Sequence, residues 1–218
     1  MSQSVHPLPD FIGFLVCGDV VHLSQRDDAN TRFSTLDEIN TTNAAQLTLA
    51  WSFSTGVNRG QEAAPLVVGG TMYVVTPYPN ILYALDLTQP GAPTKWTYRP
   101  EPLSAAQGVA CCDVVNRGPA YADGRIFYNT LDAHTVAVDA ETGREIWHTK
   151  LGDINKGETM TMAPLVVKGK VLVGVSGGEF GVRGWITALD AGTGALAWRA
   201  YHTGPDSDVL IRDRFKPF

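Results

Sequence analysis

Short apolar runs, separated by turns rich in glycine and aspartate, recur at a regular interval along the chain. An alanine-x-aspartate element precedes each of Trp96, Trp147 and Trp198, and these tryptophans follow one another at intervals of 51 residues. Trp51 stands 45 residues before the first of them. A period of about 50 residues indicates one supersecondary unit that is repeated along the chain.

Each repeat predicts two β-hairpins. In the first hairpin, two apolar runs flank a turn that contains a glycine, at Gly70, Gly124 and Gly169. The second hairpin carries an Asp-x-x-Thr-Gly turn, at residues 139–143 and 190–194. The aspartate side chain of such a turn accepts backbone hydrogen bonds, and its glycine tolerates positive φ. Each repeat therefore predicts four strands.

Four-stranded units at this period are typical of a β-propeller, in which each unit forms one blade. The alternative is a β-sandwich in which the tryptophans are ordinary core aromatics, but three copies in register favour tryptophans wedged between blades. We predict an all-β fold, a β-propeller of about three to four blades. Residues 35–47 predict at most a short turn that leads into the first strand.

The predicted propeller is incomplete, because propellers close with about four to eight blades. Three blades leave two unpaired edges, which favour association. We therefore expect the chain to be a portion of a larger propeller or to bind copies of itself. Residues 1–28 predict a poorly ordered segment of atypical sequence, and residues 29–218 the partial propeller.

Composition narrows the classes of function. The net charge is −5, the pI is about 5.5 and no basic patch stands out, so nucleic acid is not expected as a partner. Hydrophobic residues make up 44% and charged residues 18%, which argues against disorder. The apolar run at residues 11–17 is too short to span a bilayer and lacks the flanks of a signal peptide.

Residues 111–118, with the sequence CCDVVNRG, resemble the cofactor segment of the quinoprotein methanol dehydrogenases. The resemblance runs from about residue 31 to residue 218 and includes residues 36–43, 131–136, 152–157 and 176–184. It implies the first third of a periplasmic, eight-bladed propeller subunit that binds pyrroloquinoline quinone (PQQ) with Ca²⁺ or a lanthanide ion. It further implies oxidation of a primary alcohol to the aldehyde and a cytochrome c-type electron acceptor.

The adjacent cysteines Cys111 and Cys112 allow two interpretations. Their Cα atoms lie about 3.8 Å apart across a trans peptide, below the usual disulfide range of about 4.4–6.8 Å, so a bridge between them is a strained ring. The alternative is a pair of reduced cysteines that pack as small apolar groups. The resemblance implies the ring, placed against one face of the quinone.

The resemblance also implies cofactor contacts by single side chains. Arg117 would bind the quinone oxygens, although an ion pair at the surface is the common role of an arginine. Glu62, before an apolar strand, would contact the cofactor near the ring disulfide. Thr161 would bind a cofactor carboxylate, although a hydroxyl in an apolar strand could equally be a satisfied core group.

The segment Ser176-Gly177-Gly178-Glu179 implies both a cofactor and a metal contact. By the resemblance, Ser176 and the backbone of the two glycines would hold a PQQ carboxylate, and Glu179 would be a metal ligand. A carboxylate suits Ca²⁺ or a lanthanide, both of which prefer oxygen ligands. The alternative for the glycines is a plain hairpin turn. Gly178 favours the lanthanide-dependent branch, but the identity of the metal stays open.

These observations predict the N-terminal part of a PQQ-dependent alcohol dehydrogenase. The alternative is a non-catalytic propeller scaffold for protein–protein interaction, which shares such blades but has no use for Cys111, Cys112 or Glu179. A sugar-oxidising quinoprotein fits the cysteine pair less well. In the family, the catalytic base, a stacking tryptophan and further metal ligands come from later blades, so we expect no activity from this chain alone.

Overall fold

The computed structural model describes residues 37–111 and 113–210. Within these ranges the chain forms three sheets, each a four-stranded antiparallel meander whose neighbours in sequence are neighbours in the sheet. Blade 1 contains β1 (Leu66–Val68), β2 (Thr71–Val75), β3 (Leu82–Asp86) and β4 (Thr94–Tyr98). Blade 2 contains β5 (Ala120–Ala122), β6 (Arg125–Thr130), β7 (His134–Asp139) and β8 (Glu145–Lys150). Blade 3 contains β9 (Leu165–Val167), β10 (Lys170–Gly174), β11 (Trp185–Asp190) and β12 (Leu196–Tyr201).

Helical structure is confined to short turns in this part of the chain. The helix α1 covers Asp206–Val209, and 3₁₀ turns cover Ala44–Gln46, Ser104–Gly108, Ile154–Lys156 and Gly178–Phe180. None of the described helices has the length and apolar character needed to cross a bilayer. The predicted all-β class and the four-stranded repeat are therefore confirmed. The predicted N-terminal segment, residues 1–28, lies outside the described residues.

The Asp-x-x-Thr-Gly turns form as predicted. The Oδ1 atom of Asp139 accepts hydrogen bonds from the backbone N–H of Thr142 at 2.8 Å and from its hydroxyl at 2.7 Å. These bonds favour the carboxylate and lower the pKa of Asp139. Asp190 accepts the corresponding bonds from Thr193 at 3.1 Å. In blades 2 and 3, the turn between the third and fourth strands is thus stabilised by hydrogen bonds among the residues of the turn.

The tryptophans lie between blades, as predicted. Trp96 of blade 1 donates its indole N–H to the carbonyl oxygen of Ala140 in blade 2 at 3.2 Å. Trp147 of blade 2 donates in the same way to Ala191 in blade 3 at 3.1 Å. Trp198 of blade 3 is 40% exposed. The tryptophans of blades 1 and 2 therefore each meet the turn of the blade that follows.

Apolar side chains fill the spaces between the blades. One buried cluster joins blade 1 to blade 2 and includes Tyr73 and Tyr128. A second joins blade 2 to blade 3 and includes Phe127 and Trp185. The core is thus built between sheets, because each sheet has apolar residues on both faces.

The N-terminal entry to the propeller differs from the prediction. A 3₁₀ turn forms at Ala44–Gln46, but no strand follows it directly, since the first described strand begins at Leu66. Trp51 and Phe53 instead pack as extended chain against blade 1. The ring of Phe53 meets that of Tyr83 edge to face at 5.0 Å between centroids. The described part of the chain holds no further sheet for a strand there to join.

The meander places two kinds of connection at one end of the propeller. In each blade the chain enters the first strand from this end, and the second strand returns to it. The segment before each first strand and the connection between the second and third strands therefore lie together. The first strands β5 and β9 contact each other across the blade boundary, so blades 2 and 3 bring these connections close. The two-residue turns and the Asp-x-x-Thr-Gly turns lie at the opposite end.

Candidate functional site

A cavity of about 350 Å³ opens at the end of the propeller where the first strands begin. Its walls come from the segment before β5, the segment before β9 and the connection between β10 and β11. The cavity is lined by Ala110, Cys111, Asp113, Val115, Arg117, Thr159, Thr161, Val175, Ser176, Gly177, Gly178 and Glu179. Of the eight predicted site residues that the structure describes, seven are among them and Glu62 is not. The ninth, Cys112, lies outside the described residues.

Arg117 connects two walls of the cavity. Its Nη1 atom donates to the hydroxyl of Thr161 at 2.7 Å, and its backbone N–H donates to the carbonyl oxygen of Thr161 at 3.0 Å. Its Nη2 atom lies 3.2 Å from Oε2 of Glu62. The guanidinium therefore forms an ion pair, as the alternative interpretation of Arg117 predicted, and it also lines the cavity. Glu62 reaches the site through Arg117.

Thr161 lies in a different element from the one that the sequence suggested. It precedes β9 in the connection from blade 2, outside any strand, and its side chain is half-buried. Its hydroxyl oxygen accepts from Arg117 and lies 3.4 Å from the hydroxyl of Ser176. The interpretation as a core group in an apolar strand is therefore wrong. Thr161 links Arg117 to the third wall.

Ser176, Gly177 and Gly178 form a loop with its own hydrogen bonds, and the plain hairpin turn of the alternative interpretation is not seen. The backbone N–H of Ser176 donates to the carbonyl oxygen of Thr159 at 2.8 Å, in an isolated antiparallel bridge. Gly177 has φ +115°, and a Cβ atom there would collide with the carbonyl oxygen of Gly157. Gly178 then begins a 3₁₀ turn. The first N–H groups of such a turn have no acceptor within it and remain available to a ligand.

Glu179 is an exposed carboxylate on the rim of the cavity. Among the described residues, no three or more His, Cys, Asp or Glu side chains stand close enough together to hold a metal ion. One carboxylate from this chain would need ligands from elsewhere to complete a site. The assignment of Glu179 as a metal ligand remains a prediction.

Cys111 lines the cavity and is disulfide-bonded. The reduced pair that the alternative interpretation requires is therefore excluded for Cys111. The chain has two other cysteines, Cys17 and Cys112, and both lie outside the described residues. The bridge between adjacent cysteines remains a prediction.

Several lining residues were not predicted from the sequence. Asp113 adds a second carboxylate to the cavity and has φ +76°. Val115 and Val175 supply apolar wall, and Thr159 is a buried hydroxyl-bearing residue two positions before Thr161. The spacing of two between the threonines is a signal that could have indicated Thr159. The valines carried none, because apolar residues are common throughout the repeats.

The lining combines charged, hydroxyl and apolar groups. Arg117 supplies a positive charge, Thr161 and Ser176 supply hydroxyls, and the glycine loop allows the backbone to approach closely. Val115 and Val175 supply apolar surface. A flat ring system with carboxylate and carbonyl oxygens needs this combination, since its faces are apolar and its rim is polar. The fold and the cavity thus define a β-propeller portion with a ligand-sized cavity at one end.

The chain belongs to the family of PQQ-dependent alcohol dehydrogenase β-propellers. The family model described as "Glucose/ethanol/alcohol dehydrogenase, beta-propeller domain" matches residues 22–213. A lanthanide-dependent methanol dehydrogenase of Methylacidiphilum fumariolicum (strain SolV) is 59% identical over 193 residues, which are 88% of this chain and 32% of that protein. Subunit 1 of a methanol dehydrogenase (cytochrome c) of Methylobacterium organophilum is 48% identical over 211 residues, 90% of this chain and 34% of that protein.

A solved structure agrees with the relatives. That of a europium-containing methanol dehydrogenase superposes with a TM-score of 0.87 at 58% identity, over 89% of this chain and 34% of the other. The chain spans about a third of the length of these relatives. The predicted family and the β-propeller fold are confirmed.

Proposed function

We propose that this chain forms one side of the PQQ site of a PQQ-dependent alcohol dehydrogenase, which oxidises a primary alcohol such as methanol to the aldehyde. The observation that carries the proposal is the chain of contacts Arg117–Thr161–Ser176 around a cavity that disulfide-bonded Cys111 also lines. The membership of the family supports it. The activity is proposed for the whole protein, since the chain spans about a third of its relatives.

Arg117 would hold the quinone end of the cofactor. Glu62 and Thr161 orient its guanidinium from two sides, so the fork reaches a bound molecule with little freedom to rotate. A guanidinium stays protonated at any working pH and therefore stabilises negative charge on the oxygens it contacts. When bound, PQQ supplies the carbonyl group that accepts the electrons of the alcohol.

The segments next to Arg117 in the cavity would orient a carboxylate of the cofactor. Thr161 and Ser176 offer hydroxyl donors, and the loop of Gly177 and Gly178 offers backbone N–H groups without intervening side chains. The disulfide-bonded Cys111, with Cys112 as its proposed partner, would press on one face of the ring. Cofactor binding is thus assigned to Glu62 and to the lining residues from three connections.

Glu179 would contribute one oxygen ligand to Ca²⁺ or a lanthanide ion beside the cofactor. Its carboxylate is exposed on the cavity rim, and such hard cations bind oxygen. A relative named as lanthanide-dependent at 59% identity favours the lanthanide ion. The remaining ligands would come from other parts of the whole protein.

We further propose a periplasmic location and a cytochrome c-type electron acceptor. A disulfide at Cys111 is consistent with an oxidising compartment. The name of one relative, methanol dehydrogenase (cytochrome c), supports the acceptor. The remainder of the propeller, or copies of this chain, would be its structural partner.

Substitution of Arg117 tests the proposed site. We expect Arg117→Gln to weaken PQQ binding about tenfold to a hundredfold, the value of a hydrogen bond to a charged group. Arg117→Lys should fall between, because it keeps the charge and loses the fork. Arg144→Gln is the matched control, since Arg144 is exposed at the opposite end of the propeller. Titration of the 218-residue chain with PQQ, followed by tryptophan fluorescence, gives the dissociation constants.

Equal affinities for the Arg117→Gln and Arg144→Gln variants would overturn the site. A dye-linked alcohol oxidation assay of the same chain, with PQQ and Ca²⁺ or a lanthanide, should show no turnover. The chain spans about a third of its relatives and is proposed to form only one side of the site. Turnover above a control without PQQ would mean that the catalytic groups lie within these 218 residues.

A further inference from the structure

A buried polar group is hydrogen-bonded to both of the segments that carry Arg117 and Thr161. Asn129 on β6 is fully buried, and so is Thr135, its partner in register on β7. The hydroxyl of Thr135 donates to Oδ1 of Asn129 at 2.8 Å. This bond orients the amide, so that Nδ2 of Asn129 donates to the carbonyl oxygen of Met162 at 2.9 Å. Met162 follows Thr161 in the chain.

The same residue also holds the neighbouring segment. The backbone carbonyl oxygen of Asn129 accepts from Nδ2 of Asn116 at 2.8 Å, and Oδ1 of Asn116 accepts from the backbone N–H of Gly118 at 2.9 Å. Asn116 is 1% exposed. The pairing of β5 with β6 ends at Ala120, opposite Phe127. The side-chain amide of Asn116 therefore makes a hydrogen bond to β6 that the backbone of a longer β5 would otherwise make. Arg117 is thereby held on both sides.

The two segments carry the two groups that meet in the cavity. Arg117 and Thr161 are joined through the backbone at 3.0 Å and through their side chains at 2.7 Å. Asn129 contacts the residue before Arg117 and the residue after Thr161. A buried amide left without partners costs free energy, so the arrangement has few alternatives of comparable stability. One residue of blade 2 therefore contacts both segments, the first through its backbone carbonyl oxygen and the second through its side-chain amide.

We propose that Asn129, supported by Asn116 and Thr135, is a positioning residue that sets the place of Arg117 relative to Thr161 in the cofactor cavity. The effect of this positioning on cofactor binding rests on the proposed function. The positioning itself is a property of the folded chain and is measurable without PQQ.

The pair Thr135→Val and Thr135→Ser separates the hydroxyl from the shape of the side chain. Thr135→Val keeps the shape but removes the donor that orients the Asn129 amide, whereas Thr135→Ser keeps the donor. Thr187→Val is the matched control, because Thr187 is also fully buried and hydrogen-bonded, to Arg199 at 2.8 Å, and lies outside the cavity lining. Each variant is measured in the 218-residue chain.

The first measurement is hydrogen exchange of the Arg117 backbone amide, which donates to Thr161. We expect exchange to be about tenfold faster in Thr135→Val, a factor typical of one net hydrogen bond, and unchanged in Thr135→Ser. Thr187→Val should lower the melting temperature without selectively affecting this amide. Asn116→Ala should reproduce the effect of Thr135→Val from the other side and serves if that variant fails to fold. The proposal is overturned if the amide exchanges alike in Thr135→Val and Thr187→Val.

The second measurement is PQQ affinity. Thr135→Val should weaken binding by a factor similar to that of the exchange, and Thr135→Ser should not. If the exchange responds as expected but the wild-type chain binds no PQQ, the proposed function fails and the positioning stands. Weaker PQQ binding with unchanged exchange at Arg117 would overturn the positioning.

Discussion

The ring of Trp147 leaves no room for a side chain at Gly194, and this predicts a measurable energy of contact between blades 2 and 3. Gly194 has φ +70°, and a Cβ atom there would lie 2.6 Å from the indole. Gly124 has φ +73°, but a Cβ atom there would meet nothing within 4 Å. Gly194→Ala and Gly124→Ala therefore share the backbone strain and differ in the collision.

The magnitude follows from these two terms. An L-residue in the left-handed region costs roughly 1–2 kcal/mol. Overpacking of a filled site adds roughly 1–3 kcal/mol. We expect Gly124→Ala to lower the free energy of unfolding by about 1–2 kcal/mol and Gly194→Ala by about 2–5 kcal/mol. The difference between the two variants measures the packing of Trp147 on the next blade.

Urea unfolding followed by circular dichroism measures both variants. With a slope of about 2 kcal/mol per molar urea, a difference of about 2 kcal/mol moves the midpoint by about 1 M. In a Trp147→Leu background the collision with the indole is relieved and only the contact with the hydroxyl oxygen of Thr149, 2.7 Å from the added Cβ atom, remains. The difference between the two alanine variants should therefore become smaller. Equal midpoint shifts for Gly194→Ala and Gly124→Ala in the wild-type background would refute the wedge between these blades.

Three further predictions concern acid stability, association and the disulfide. Burial and a neighbouring histidine lower the pKa of His148, so below about pH 6.5 the unfolded chain binds more protons and stability falls as pH falls. His148→Asn should reduce the change in the urea midpoint between about pH 5 and 7. Trp198, 40% exposed on blade 3, should promote self-association, so sedimentation should show smaller species for Trp198→Asp, and a wild-type chain that is already a monodisperse monomer would contradict this. The peptide spanning residues 110–118 should resist alkylation until it is reduced, and it should not be cross-linked to any other peptide. A cross-link to a peptide that contains Cys17 would exclude the adjacent ring at Cys111.

The blades could be predicted from the sequence because the signals that define them are local. The Asp-x-x-Thr-Gly turn at Asp139 contains its own hydrogen-bond donors and acceptors, so this sequence predicts the turn wherever it occurs. The tryptophan spacing of 51 residues was informative because Trp96 and Trp147 make the same contact with successive blades. The strand expected soon after residue 47 does not form, because strand formation depends on a neighbouring strand as well as on composition.

The order of the residues alone was enough to predict the repeat, the turns and the presence of Cys111, Arg117 and Glu179 in segments that resemble a cofactor site. Which of these residues meet depends on how the blades pack in the folded chain. Arg117 and Thr161 are 44 positions apart, and they come within 2.7 Å because successive meanders return the chain to the same end of the propeller. Asn129 carried no signal, since its hydrogen bonds join residues distant in the chain and leave no period or motif. Contacts of this kind arise from the packing of one blade on the next.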